Sequence, residues 1–243
     1  MSKSKEQQLW EACTSGDLDL VKRLANDPAV NVNWEDPELS RTPFYRACFY
    51  GRLSVVEFLL TFTKVDVNKL QGQGCTPFYI ACQNGHKEVV SLLLAEMRID
   101  INKPNNEQLT PLWMASQKGH LRVVQLLLAS GKEIDTKAKS KAGIAPWNNK
   151  TAAEIGQFQA TRATLYQGES EEDLLKGKQN GPLIATLIDS YEQNPQHVRT
   201  QLRKQLGLEG QFLLSPLLLH LSSHLYCPQS LHSHPSKSLL LPL

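Results

Sequence analysis

Apolar and polar positions along this chain recur as a block. The run Val55-Val56-Glu57-Phe58-Leu59-Leu60 returns as Val89-Val90-Ser91-Leu92-Leu93-Leu94 and as Val123-Val124-Gln125-Leu126-Leu127-Leu128, each copy 34 residues after the last. Thr42-Pro43-Phe44-Tyr45-Arg46-Ala47-Cys48 recurs in step as Thr76-Pro77-Phe78-Tyr79-Ile80-Ala81-Cys82 and as Thr110-Pro111-Leu112-Trp113-Met114-Ala115-Ser116. Gly51, Gly85 and Gly119 keep the same interval. Self-similarity at such a period predicts stacked units, each too small to bury its apolar face alone.

Each unit reads as two helices. Thr suits an N-cap, where its hydroxyl accepts from an orphan backbone N–H, and Pro suits the first helical position, where no N–H is needed. A short helix therefore opens at each Thr-Pro and stops at the Gly, which enters the left-handed conformation most cheaply. The Val-Val-x-x-Leu-Leu run predicts a second helix that is apolar over a broad face, as a helix between neighbouring units must be. It closes into Val65-Asp66-Val67-Asn68 or Ile99-Asp100-Ile101-Asn102, and a polar hairpin tip precedes the next Thr-Pro.

These residues resemble the ankyrin repeat, whose units share a Thr-Pro-Leu-His-x-Ala opening, a Gly-His turn, a Val-Val-x-x-Leu-Leu helix and an Asp-Val-Asn close. Tetratricopeptide units share the period, but their Trp-x-x-Leu-Gly-x-x-Tyr core is absent. The resemblance implies an all-α ankyrin-repeat solenoid, with helix-turn-helix units joined by β-hairpin-like loops. Tyr45, Tyr79 and Trp113 depart from the family by standing at its His position, which predicts the loss of a hydrogen-bond link between repeats. One extra residue also precedes the Asp-x-Asn close.

The expected repeats span about 6–40, 41–74, 75–108 and 109–142, followed by a degenerate cap over about 143–166. The first keeps the apolar frame Leu9, Ala12, Cys13, Gly16, Leu18, Leu20, Val21 and Leu24 but lacks Thr-Pro, as suits a terminal unit with one wet face. In the cap the register slips: Ile144 stands where Thr is due, and Thr151 comes seven residues late. Extra C-terminal helices are expected in an extension over 167–210, one around Leu183 to Tyr191 and one from Asn194-Pro195 to Gly207. Glu169 to Asp173 reads as a solvated linker or a helix start. From 211 to 243 the chain has 12 Leu, 7 Ser, 4 His and 4 Pro with Lys237 as its single charge, so an aberrant tail is expected rather than a domain.

A net charge of +2 gives no reason to expect nucleic acid as partner. No signal-peptide core and no apolar run of the ~20 residues that span a bilayer is present, so no membrane association is expected. Five cysteines, with Cys48 and Cys82 at one repeat position, predict packed free thiols in a reducing cytoplasm or nucleus. Cys75, at a hairpin base, is expected to be more exposed.

Candidate chemistry is sparse. His86 and His120 follow the turn glycines and read as structural, since no motif supplies a nucleophile or carboxylate partner. His220, Cys227, His232 and His234 match no zinc spacing, so no metal and no cofactor are expected. Phosphate loops, nucleophile elbows and kinase or zincin signatures are absent. Ser170 before Glu-Glu-Asp has the form of an acid-directed kinase site. The resemblance implies that Asn68 or Asn102 can be hydroxylated, against the simpler reading of an Asn that stabilises the hairpin.

What remains is a surface. In the family, ligands lie across a concave face of hairpin tips and first helices, which here implies Glu38, Leu39, Arg41; Gly72, Gln73, Cys75; Asn106, Glu107, Leu109; and Ser140, Lys141, Gly143 on the hairpins. The first helices add Phe49, Tyr50, Gln83, Asn84, Gln117 and Lys118. Phe49 and Tyr50 cannot both face a helix core, so one is expected on display. Glu35, Asp36 and Glu38 at one end and Lys137, Lys139 and Lys141 at the other predict a charge gradient along the tips. The expected function is a non-catalytic, monomeric module that binds a partner protein. The alternative is an adaptor whose C-terminal helices recruit a ligase or signalling component.

Overall fold

The computed structural model describes residues 3–141, 148–164 and 169–209. Among the described residues there are eleven helices and no strand. The tail beyond 209, the histidines and Cys227 in it, and the 142–147 loop with Gly143 and Ile144 lie outside the described residues.

Thr-Pro opens a helix three times. Thr42, Thr76 and Thr110 are extended N-caps whose hydroxyls accept from the N–H of Tyr45, Tyr79 and Trp113. Pro then takes the first turn, where its missing N–H costs nothing. The resulting first helices are α3 (Pro43–Phe49), α5 (Pro77–Gln83) and α7 (Pro111–Gln117). Gly51, Gly85 and Gly119 turn the chain at φ 65°, 74° and 70°. The second helices α4 (Leu53–Leu60), α6 (Lys87–Ala95) and α8 (Leu121–Ala129) follow. The N-terminal unit supplies α1 (Lys5–Ser15) and α2 (Leu18–Ala25). Ser4 replaces Thr as its N-cap and forms a reciprocal capping box with Gln7.

The helices form two rows. First helices stack α1 on α3, α5, α7 and then α9 (Ala152–Thr161), while second helices stack α2 on α4, α6 and α8. One continuous apolar core runs between them, from Leu9 through Phe44, Phe78 and Trp113 to Ile155 and Ile188. Polar ties stitch each unit to the next. The amide of Asn33 donates to Lys64 O at 2.7 Å and accepts from Asp66 N–H at 2.9 Å. Asn68 does the same to Arg98 and Asp100, and Asn102 to Glu133 and Asp135, so all three tie the close of one unit to the close of the next. Arg98 donates to Leu60 O at 3.1 Å and to Phe62 and Val65 carbonyls at 3.4 Å, capping the C-terminal end of α4.

The C-terminal helices depart from expectation in length and placement. α10 (Glu171–Gln193) starts a dozen residues before Leu183, because Ser170 caps it and forms a capping box with Asp173. Gly177, Gly181 and Pro182 lie inside it. The glycines serve contact: a Cβ on Gly181 would overlap Gly156 O of α9, and one on Gly156 would sit 2.9 Å from Gly181 O. α10 packs on α9, α7 and α8, and α11 (Pro195–Gln205) packs on α8 and α10. Together they cover the end of the second-helix row.

Candidate protein-binding surface

Backbone bonds join the four hairpins tip to tip. Gly72 N–H donates to Leu39 O at 2.8 Å, Asn106 N–H to Gln73 O at 3.2 Å, and Lys141 N–H to Glu107 O at 3.0 Å. Within each hairpin a polar side chain at the base holds the tip. Asp36 accepts from the N–H groups of Glu38, Leu39 and Arg41; Gln71 from Gln73; Asn105 from Glu107 and Leu109; Ser140 from Lys150. Glu38, Gln73, Asn106, Glu107 and Lys141 are thereby exposed along one row.

Several expected surface residues turn inward. Cys75, Leu109 and Ser140 sit at hairpin bases and are buried, Cys75 at 4 % exposure, which corrects the expectation that it is exposed. Arg41 is half-buried because its guanidinium pairs with Asp36 at 3.2 Å. Gln117 is buried and Lys118 half-buried because Glu169, arriving just before α10, lies against both; Lys118 Nζ is 3.7 Å from its carboxylate. Glu169 also pairs with Arg162. Gln117 is therefore withdrawn from the display. Gln83 and Asn84 remain half-exposed, and Asn84 donates its amide to Phe49 O at 2.9 Å.

The aromatic pair divides. Phe49 is half-buried against Tyr45, while Tyr50 is 39 % exposed, its ring centroid 4.9 Å from that of Phe49. The charge gradient loses most of its acidic end. Glu35 pairs with Lys69 at 2.9 Å and Asp36 with Arg41, so Glu38 alone of the three acids has no cation partner among the described residues. Lys137, Lys139 and Lys141 are exposed at the other end.

Two of the three aromatic residues at the family's His position, Tyr79 and Trp113, keep a link between units. Trp113 Nε1–H donates to Lys150 O at 2.9 Å, and Tyr79 OH accepts from Asn105 at 3.2 Å. Trp10, at the matching place in α1, donates to Arg41 O at 3.0 Å. A second tie follows each turn glycine: Arg52 Nε donates to Thr14 O at 2.9 Å, His86 Nε2 to Phe49 O at 2.8 Å, and His120 Nε2 to Gln83 O at 3.0 Å. Facing a carbonyl, each ring nitrogen must carry the hydrogen. Burial lowers the His120 pKa, which keeps the ring neutral and structural.

Burial also acts on the four described thiols. Burial raises Cys13, Cys48 and Cys82, and lifts Cys75 to about 11, so none is a ready thiolate. Among the described residues no cluster of His, Cys, Asp and Glu has the makings of a metal site. No helix among them is long and apolar enough to cross a membrane.

Paired helices stacked in register, with hairpin tips bonded in a row, define a helical repeat solenoid. Comparison with family models names the repeat: residues 9–60 match ankyrin repeats (many copies), and residues 62–138 match ankyrin repeats (3 copies). Those spans cover more than half of the 243 residues, and the chain belongs to the ankyrin repeat family. No curated protein matches it. Ankyrin repeats are generally modules of protein–protein interaction.

Proposed function

We propose that this chain is a non-catalytic protein-binding module of the cytoplasm or nucleus, which receives one partner protein along its hairpin tips and first helices. The observation that carries the reading is the tip-to-tip backbone ladder. It holds Glu38, Gln73, Asn106, Glu107 and Lys141 in fixed spacing before any partner arrives. A preorganised row loses little entropy on binding, the usual cost of a loop-built interface. Buried, neutral thiols suit a reducing compartment.

Site-specific photo-crosslinking in cells tests this. A photoreactive residue at Gln73 or Glu107 should capture a discrete protein, and one at the exposed second-helix positions Glu57 or Glu88 should not. Capture only from Glu57 and Glu88 would overturn the assignment of the face. One further observation favours an adaptor reading: Leu175 and Leu183 of α10, outside the repeats, are large apolar side chains 54 % and 56 % exposed. A Leu175→Ser/Leu183→Ser variant that keeps the tip partner but loses a second co-purifying protein would support it.

A further inference from the structure

The second unit differs from its neighbours at one place on the first-helix face. Where the next two units carry buried Ile80 and Met114, it has Arg46, itself 8 % exposed. Tyr50 stands where they have Asn84 and Lys118, and Arg52 where they have His86 and His120. The four-way contact that results joins two units. Arg46 Cζ lies 4.1 Å from the Trp10 ring centroid and 4.6 Å from that of Tyr50. Its Nε donates to Thr14 Oγ1 at 3.0 Å and its Nη2 to Tyr50 OH at 3.2 Å. Arg52 Cζ is 5.9 Å from the same Tyr50 ring.

Two guanidinium groups thus flank an exposed tyrosine, and among the described residues neither pairs with a carboxylate. The contrast with Arg41 and Arg98 is direct, since those pair with Asp36 and Glu96. A nearly buried guanidinium without a counter-charge is costly, and the aromatic rings offset only part of that cost. The guanidinium nitrogens that make no hydrogen bond among the described residues, Arg46 Nη1 and the two Nη atoms of Arg52, are donors that suit a planar carboxylate.

We propose that Arg46, Arg52 and Tyr50 form a carboxylate-recognition site, which takes a Glu or Asp side chain from an acidic segment of the partner protein. Tyr50 supplies the apolar wall beside the acid. The proposal rests on the protein-binding reading above and adds where the partner is anchored and with what charge.

The test titrates the full chain with a fluorescein-labelled nonapeptide of Leu and Ser carrying a central Glu, alongside Gln-, Lys- and phosphoserine-centred versions. Anisotropy gives affinity, and the Nε–H NMR signals of Arg46 and Arg52 report the site. The Glu peptide should bind about tenfold tighter than the Gln peptide and shift both signals, as one charge-assisted hydrogen bond allows. Arg46→Gln is at risk of misfolding, so exposed Arg52→Gln serves as the second variant; loss of the tie to Thr14 O should lower its melting temperature by a few degrees, and well below that transition the folded variant should narrow the Glu-over-Gln preference. Equal binding of Glu and Gln peptides, or no binding with unmoved arginine signals, would overturn the proposal. So would a phosphoserine peptide bound more than about tenfold tighter than the Glu peptide, which would mark a phosphate site. In each of these cases crosslinking from Gln73 and Glu107 would still stand, so the two readings fail separately.

Discussion

A β-branched side chain at Gly85 has no room and no favourable backbone. The residue sits at φ 74°, and an added Cβ would lie 2.6 Å from the His120 ring that ties this unit to the next. Gly85→Val should therefore cost at least ~2 kcal/mol through strain and a displaced His120. Calorimetry checks it, and an unchanged melting temperature would contradict the turn geometry. Asp36 gives a pH signature. Burial alone would raise its pKa, but hydrogen bonds from the N–H groups of Leu39 and Arg41, with the Arg41 guanidinium, outweigh burial and hold it below its ordinary value. A depressed carboxyl pKa stabilises the fold above the ordinary carboxylate range and loses that contribution as pH falls through it. Asp36→Asn should lower stability by about 1–2 kcal/mol near neutral pH, with the deficit shrinking below pH ~4. Urea midpoints at both pH values read the difference. The repeated Thr, Pro and Gly were legible because one residue type does each job in every unit. Asp36, Gln71 and Asn105 were not, because three residue types do one job and leave no repeated letter. The links made by Trp10, Tyr79 and Trp113 escaped for a similar reason: an aromatic N–H or O–H replaces an imidazole in the same place.

At the scale of elements, helix starts and stops were readable wherever local capping decides them. α10 was not, because tertiary contact overrides local propensity there. Glycine in a helix interior costs about 1 kcal/mol relative to alanine, yet Gly181 lets α9 and α10 approach until it meets Gly156 backbone to backbone. Gly181→Ala tests this, since propensity alone predicts stabilisation. With Gly156 O in the way, the variant should instead melt roughly 3–10 °C lower, as overpacking a helix contact does. A higher melting temperature would mean that α9 and α10 are not in such contact. Glu169 belongs to the same joint. Where α10 begins, it covers Gln117 and Lys118, a long-range contact that no local pattern announces.

Across the whole molecule, one surface is displayed and one end is closed. α10 backbone at Lys176 and Gly177 lies over Gly119, where His86 and His120 lie over Gly51 and Gly85 in the units before, so α10 stands in for a further repeat. Asn180 completes the substitution by donating to Gly119 O at 2.8 Å. The row of tips therefore ends at Lys141 among the described residues, and the first-helix face carries its aromatic and arginine cluster at the second unit. Proximity labelling in cells tests that account most directly, comparing the intact chain with Gln73→Ala/Glu107→Ala and with Glu57→Ala/Glu88→Ala, all of matched melting temperature. The account predicts that a discrete set of labelled proteins is lost from the tip variant and kept by the second-helix variant. A labelled set that survives the tip changes intact, or disappears with the second-helix changes instead, would contradict it.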